Sequence, residues 1–124
     1  MESLEYDKTG KRTMKAIVVA DQAAGTSGMM LVERPQPKAA INDVVVQVHA
    51  SGFVPTELAW PSTWTDRLDR DRTPSIPGHE LAGVATAFGY GTTGLSVGQR
   101  VFGLADWHRD GTLAEYIAIE ARNL

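Results

Sequence analysis

Few places in this chain carry residues spaced as chemistry would need them. Gly89-Tyr90-Gly91-Thr92-Thr93-Gly94 has the spacing GxGxxG and follows a strand-like run, an arrangement that cradles a pyrophosphate when it opens a helix. The continuation Leu95-Ser96-Val97-Gly98-Gln99-Arg100-Val101 has a glycine in its middle and reads as a turn into a strand. The match therefore lacks the helix that neutralises phosphate, and we expect a turn with no nucleotide site of its own. His79-Glu80, after the turn Pro77-Gly78, is where functional and structural roles compete. Thr56 lies in Pro55 to Trp60, the one plausible helical turn, with a proline near its first position. His49 and His108 stand alone on a strand and a loop, where surface or packing roles are expected. With no Cys in the chain, disulfides and thiolate metal ligands are excluded.

These residues must be held by short strands. Candidates run from Lys15 to Val19, Met29 to Glu33, Asp43 to His49, Glu80 to Phe88, Arg100 to Leu104 and Thr112 to Ile119, separated by turn formers. Ala23 to Gly28 reads as a hairpin-like connection, and Pro35-Gln36-Pro37 as an extended segment that cannot donate ladder bonds. Val44, Val46 and Val48 point one way and Val45, Gln47 and His49 the other, as on a sheet with one wetter face. Seven of the 12 glycines fall between Pro74 and Gly103, which suits strands joined by tight turns. The fold expected is all-β, a barrel or sandwich with little helix. Trp60 to Thr73 differs, with two tryptophans followed by alternating Asp and Arg. It reads as a surface loop whose charges pair locally, although Trp60 and Trp64 must bury their rings against something. Asp106 to Asp110 reads as a loop, and Tyr116 as a core residue in an alternating strand.

At 124 residues the chain has room for one domain and too little for a second, doubly wound one. The charged start, residues 1–13, is expected to be a flexible extension and 14–124 the folded domain. A net charge of -3 and the absence of a basic cluster give no reason to expect nucleic acid. No apolar run reaches the roughly 18 residues of a membrane span, and the start lacks a signal peptide's apolar centre. No membrane partner is expected, and the cytoplasm is the expected location.

The segment Pro74 to Gly103, PSIPGHELAGVATAFGYGTTGLSVGQRVFG, resembles the signature PGHE…GxV…G…VGDRV of the medium-chain dehydrogenase/reductase family. The likeness extends from Met14-Lys15-Ala16 through Asp43-Val44-Val45-Val46 and Ala50-Ser51-Gly52 to Gly111-Thr112-Leu113-Ala114-Glu115-Tyr116. It implies the N-terminal catalytic domain, a GroES-like β-barrel, with the family's Rossmann domain absent from this chain. In the zinc branch a residue matching His79 ligates the catalytic metal, the matching Glu80 sits beside it, and a Cys stands where this chain has Val54. Valine cannot ligate zinc, and catalytic zinc takes three protein ligands plus water. No zinc is therefore expected, and His79 is expected to be a pocket residue that orders the Pro77-Gly78 turn by a hydrogen bond. Gly52-Phe53-Val54-Pro55 looks instead like the zinc-free quinone and enone reductases, with Pro55 matching and Val54 departing from their Asn.

That resemblance implies NADPH as the full-length family's cofactor, with none expected to bind this chain alone, and a quinone or conjugated carbonyl as substrate. Thr56 stands where zinc enzymes place a proton-relay hydroxyl, and an ordinary helix-turn role is the alternative. Val54, Trp60 and Trp64 would line the substrate pocket, with Thr56 and His79 as its chemical groups, and Trp107 borders the cleft by analogy alone. The function expected is the substrate-side half of a zinc-independent oxidoreductase, not competent alone. A non-catalytic binding or assembly module, or a truncated remnant, is the alternative. An orphaned apolar face around Val54, Trp60 and His79 would favour a homodimer.

Overall fold

The computed structural model describes Gly10 and residues 12–124. Six strands form: β1 (Thr13–Val18), β2 (Met30–Pro35), β3 (Asp43–Gly52), β4 (Glu80–Phe88), β5 (Arg100–Leu104) and β6 (Tyr116–Glu120). One four-residue helix, α1 (Pro61–Trp64), and 3-10 turns at Gln22–Gly28, Pro55–Ala59 and Ala121–Asn123 complete the regular structure among the described residues. No described helix is long and apolar enough to cross a membrane. The β1–β2 connection is a helical turn kinked at Gly25 (φ 57°), which still brings the two strands together as an antiparallel pair.

The strands make two sheets, β1-β2 and β5-β4-β3-β6, all antiparallel. They are not closed into the expected barrel. Closure fails where the chain bonds irregularly. Residues 112–115, expected to open the last strand, join other segments: Ile17 N donates to Leu113 O, Thr112 N to Gly78 O and Glu115 N to Lys15 O. Isolated bridges, Ala16 with Ala114 and Val19 with Ser75, link β1 and the residue after it to these segments.

Strand β3 is central and buries both faces over Asp43 to Val46, whereas on the face expected to be wetter Gln47 is half-buried and His49 exposed. Val44 and Val46 pack with Leu81, Ile117 and Ile119. Val45 belongs to a second core with Met14, Ala16, Val18, Ile76 and Tyr116, because the β1-β2 sheet covers the other side. Each fully buried Val or Ile contributes about 1.5–3 kcal/mol. Thr13, placed by sequence in the extension, is buried and belongs to β1. The rest of the expected extension lies outside the described residues, apart from Gly10 and Arg12, whose carbonyl accepts from Gln36 N at 2.8 Å.

The GxGxxG segment forms turns leading to β5, with no helix after it. Its contacts give it a structural task at the start of β3. Gly89 N (2.8 Å) and Thr92 Oγ1 (3.1 Å) both donate to Asp43 O, and Tyr90 O accepts from Asn42 N. A Cβ at Gly89 would strike Ala40 O, and Gly91 needs φ 87°, so these glycines serve close approach and turning.

Candidate functional site

The far end of β3 delivers the chain to the site. After Gly52 the backbone reaches Val54, and Pro55, whose fixed φ suits the first position of a helical turn, starts the turn Pro55–Ala59. Glu57 closes it. Its N–H donates to Val54 O (2.9 Å) and its Oε2 accepts from Val54 N (3.0 Å). That leaves Oε1 pointing at His79 Nε2 at 3.6 Å, beyond hydrogen-bond length. The two side chains are only 6% and 7% exposed. Glu57 Oε1 and both ring nitrogens of His79 are buried without a partner among the described residues. Leaving such a group unsatisfied costs about 1–3 kcal/mol.

His79 immediately precedes β4. Its carbonyl accepts from Ala105 N at 2.7 Å, while Gly111, Thr112 and Leu113 amides bond Ile76, Gly78 and Pro77 carbonyls. These backbone bonds order the Pro77-Gly78 turn, which corrects the expectation that the imidazole does so. The side chain faces aromatic rings instead. Trp60 stacks on it with centroids 5.5 Å apart and planes at 22°; Trp107 lies 5.2 Å from Trp60 and 6.4 Å from His79, edge-on to the imidazole. Burial holds the His79 pKa below its ordinary value, and the positive charge of Arg72 adds to this against the pull of Glu57 and Asp106. At neutral pH the ring is uncharged, so one nitrogen can donate and the other accept.

The expected site residues separate into groups. Trp60 and His79 are brought together; Val54, 53% exposed, is tied to Glu57 through its backbone. Thr56 is exposed on the same turn. Trp64 is spent differently: its Nε1 donates to Leu58 O at 2.8 Å, fastening α1 to the turn. His49 is exposed, and His108 Nδ1 lies 3.7 Å from Asp106 Oδ1. The loop from Trp60 to Thr73 is more structured than expected, holding α1 and a bridge between Thr65 and Asp71. Of its charges, Arg70 pairs locally with Asp66, but Arg67 and Arg72 reach Asp106 and Asp110.

Sequence reasoning missed Glu57. The signal was available, since an acid three positions after the residue that precedes a Pro-initiated turn has the spacing of a reciprocal cap. Arg72 was missed because a run of alternating charges looks solvated.

A catalytic zinc does not fit these donors. His79 and Glu57 offer two groups and Val54 none, whereas such a metal takes three protein ligands. Among the described residues no group of three or more His, Cys, Asp or Glu is arranged to hold a metal.

Comparison with known proteins accounts for this architecture. The chain is 33% identical over 101 residues to an L-threonine 3-dehydrogenase of Ruegeria pomeroyi, an alignment covering 80% of this chain and 28% of the relative. The crystal structure of an alcohol dehydrogenase superfamily protein from Novosphingobium aromaticivorans superposes with TM-score 0.72 at 30% identity, over 89% of this chain and 33% of that one. The quinone oxidoreductase of Coxiella burnetii shares the fold, with TM-score 0.73 at 21% identity, over 90% of this chain and 36% of that one. The chain thus spans about a third of each relative's length. Residues 40–124 match the family described as the alcohol dehydrogenase GroES-like domain, and the chain belongs to that family.

Proposed function

We propose that this chain is the substrate side of an NADPH-dependent, zinc-independent oxidoreductase acting on a quinone or conjugated carbonyl, with the cytoplasm as its compartment. The observation that carries the reading is the buried His79–Glu57 pair, with three unsatisfied polar atoms, its imidazole stacked on Trp60 and edge-on to Trp107. Buried polar atoms without partners are costly, and a site that keeps them has hydrogen bonds in reserve for a ligand. NADPH, when held by a nucleotide domain, supplies hydride to the β-carbon of the conjugated carbonyl. This chain's residues would do the remainder. Trp60 and Trp107 offer flat apolar surface to a planar substrate, with Val54 on its open side and Trp64 behind the turn. Uncharged His79 or the Thr56 hydroxyl would donate to the carbonyl oxygen as negative charge develops there. We extend the proposal to pairing of two chains through this face, where Val54 and Trp107 are the exposed apolar groups.

A second reading, oxidation of a small hydroxyl-bearing substrate, is favoured by the L-threonine 3-dehydrogenase relative. Calorimetric titration separates the two, using 2-methyl-1,4-naphthoquinone, trans-cinnamaldehyde and L-threonine. The first reading expects the planar probes to bind and Trp60→Ser to weaken them. Binding of L-threonine alone would favour the second. No heat from any probe at about 1 mM would overturn both and leave an assembly module.

A further inference from the structure

The two tryptophans of the site come from segments far apart in sequence, so something must set their spacing. Trp60 precedes α1, whereas Trp107 sits in the loop Asp106 to Asp110 and is 54% exposed. A half-exposed indole on a loop has little packing of its own to fix it. The connection between the two segments is polar, and one side chain spans it.

Arg72 is only 12% exposed. Its Nη1 donates to Ser62 O within α1 at 2.5 Å and to Trp107 O at 3.3 Å; its Nη2 donates to Asp110 Oδ1 at 3.4 Å. Its own N–H donates to Trp64 O at 3.1 Å, anchoring the arginine to the segment that carries Trp60. Asp110 is also held by Ile76 N, which donates to the same Oδ1 at 3.0 Å, and by Arg34 through Oδ2 at 3.5 Å. Arg67 closes the loop's first residue through Asp106 at 2.6 Å, but it is 65% exposed and open to solvent screening.

We propose that Arg72 is the positioning residue of the substrate site: it holds the Trp107 carbonyl and Asp110 against α1 and thereby presets the contact between Trp107 and Trp60. This rests on the reading of His79 and its aromatic neighbours as the substrate side. A planar guanidinium has the fork needed to reach a helix carbonyl, a loop carbonyl and a carboxylate together. A lysine ammonium is a point donor on a flexible stem and cannot span all three. The site would then meet a flat ligand with its aromatic wall already assembled, avoiding the ordering cost on binding.

The test reads the indole pair directly. Two indoles in contact give an exciton couplet in far-ultraviolet circular dichroism, which Trp107→Phe should abolish and so assign. Arg72→Lys, which keeps the charge, should lose most of the couplet and weaken 2-methyl-1,4-naphthoquinone binding, with thermal unfolding still cooperative. Arg72→Met should do the same if Lys repacks, and Arg70→Ser, in an exposed local pair, should leave both readouts unchanged. An undiminished couplet in Arg72→Lys and Arg72→Met overturns the inference. If the unsubstituted chain binds no naphthoquinone, the functional reading fails, while the couplet alone still decides the role of Arg72.

Discussion

Strand β3 runs from one buried polar pair to another, and the two are built on opposite terms. At its start Asp43, 3% exposed, takes a bidentate pair of hydrogen bonds from Arg109 at 3.0 and 2.6 Å, and its second oxygen also accepts from Ala40 N. Just past its end, Glu57 and His79 stop short of each other at 3.6 Å with three polar atoms unsatisfied. A two-pronged guanidinium–carboxylate bond has good geometry and repays much of the cost of desolvation. The near-miss does not. Structural pairs are completed within the chain, whereas a pair meant for a ligand is left incomplete, so the satisfied end of β3 maintains the fold and the unsatisfied end is where we place function.

The sharpest way to break this comparison is to remove one partner at each end. Asp43→Ala leaves Arg109 without its carboxylate and should destabilise the chain by about 2–3 kcal/mol, because Arg109 is partly exposed and water recovers some of the loss. His79→Phe should change stability by no more than about 1 kcal/mol, since it removes two unsatisfied nitrogens and adds an apolar ring beside Trp60. Equilibrium urea unfolding of the two variants checks the contrast, and similar losses would show that both ends are structural.

Acid separates the ends by pH window. The His79 pKa is depressed below its ordinary 6.5 by burial, so its uncharged form stabilises the fold fully above about pH 6.5. That stability falls as pH drops through the lowered value. Asp43 is depressed below its ordinary 3.8, chiefly by the hydrogen bonds from Arg109. Its contribution is intact above about pH 3.8 and is lost only as pH falls further. Denaturation midpoints measured against pH should therefore decline in two phases. His79→Phe should erase the upper phase and keep the lower one.

Much of the fold was legible because strands advertise themselves locally. The alternation in Asp43 to His49 and the run Glu80 to Phe88 placed β3 and β4, and the glycine after Val97 was enough to reject a phosphate-binding helix. Barrel closure was not legible, since it depends on where the amides of residues 112–115 bond, and no periodicity encodes that choice. At the site, Trp60 and His79, expected to share a pocket, lie with their rings in contact. Glu57 and Arg72 were not found, because a carboxyl group and a guanidinium in polar stretches look solvated until the tertiary fold buries them. Trp64 shows a structural use that its sequence does not advertise. An indole near the site was assigned to the pocket, yet its N–H serves α1 and the turn.

The account's central claim is that the unsatisfied pair at the end of β3 works without a catalytic metal, and elemental analysis of the purified chain after exposure to zinc tests it most directly. Two donor groups are too few for a closed or catalytic zinc site, so zinc should fall well below one per chain and be unchanged in His79→Ala. About one zinc per chain, lost in His79→Ala, would contradict the account and make His79 a metal ligand.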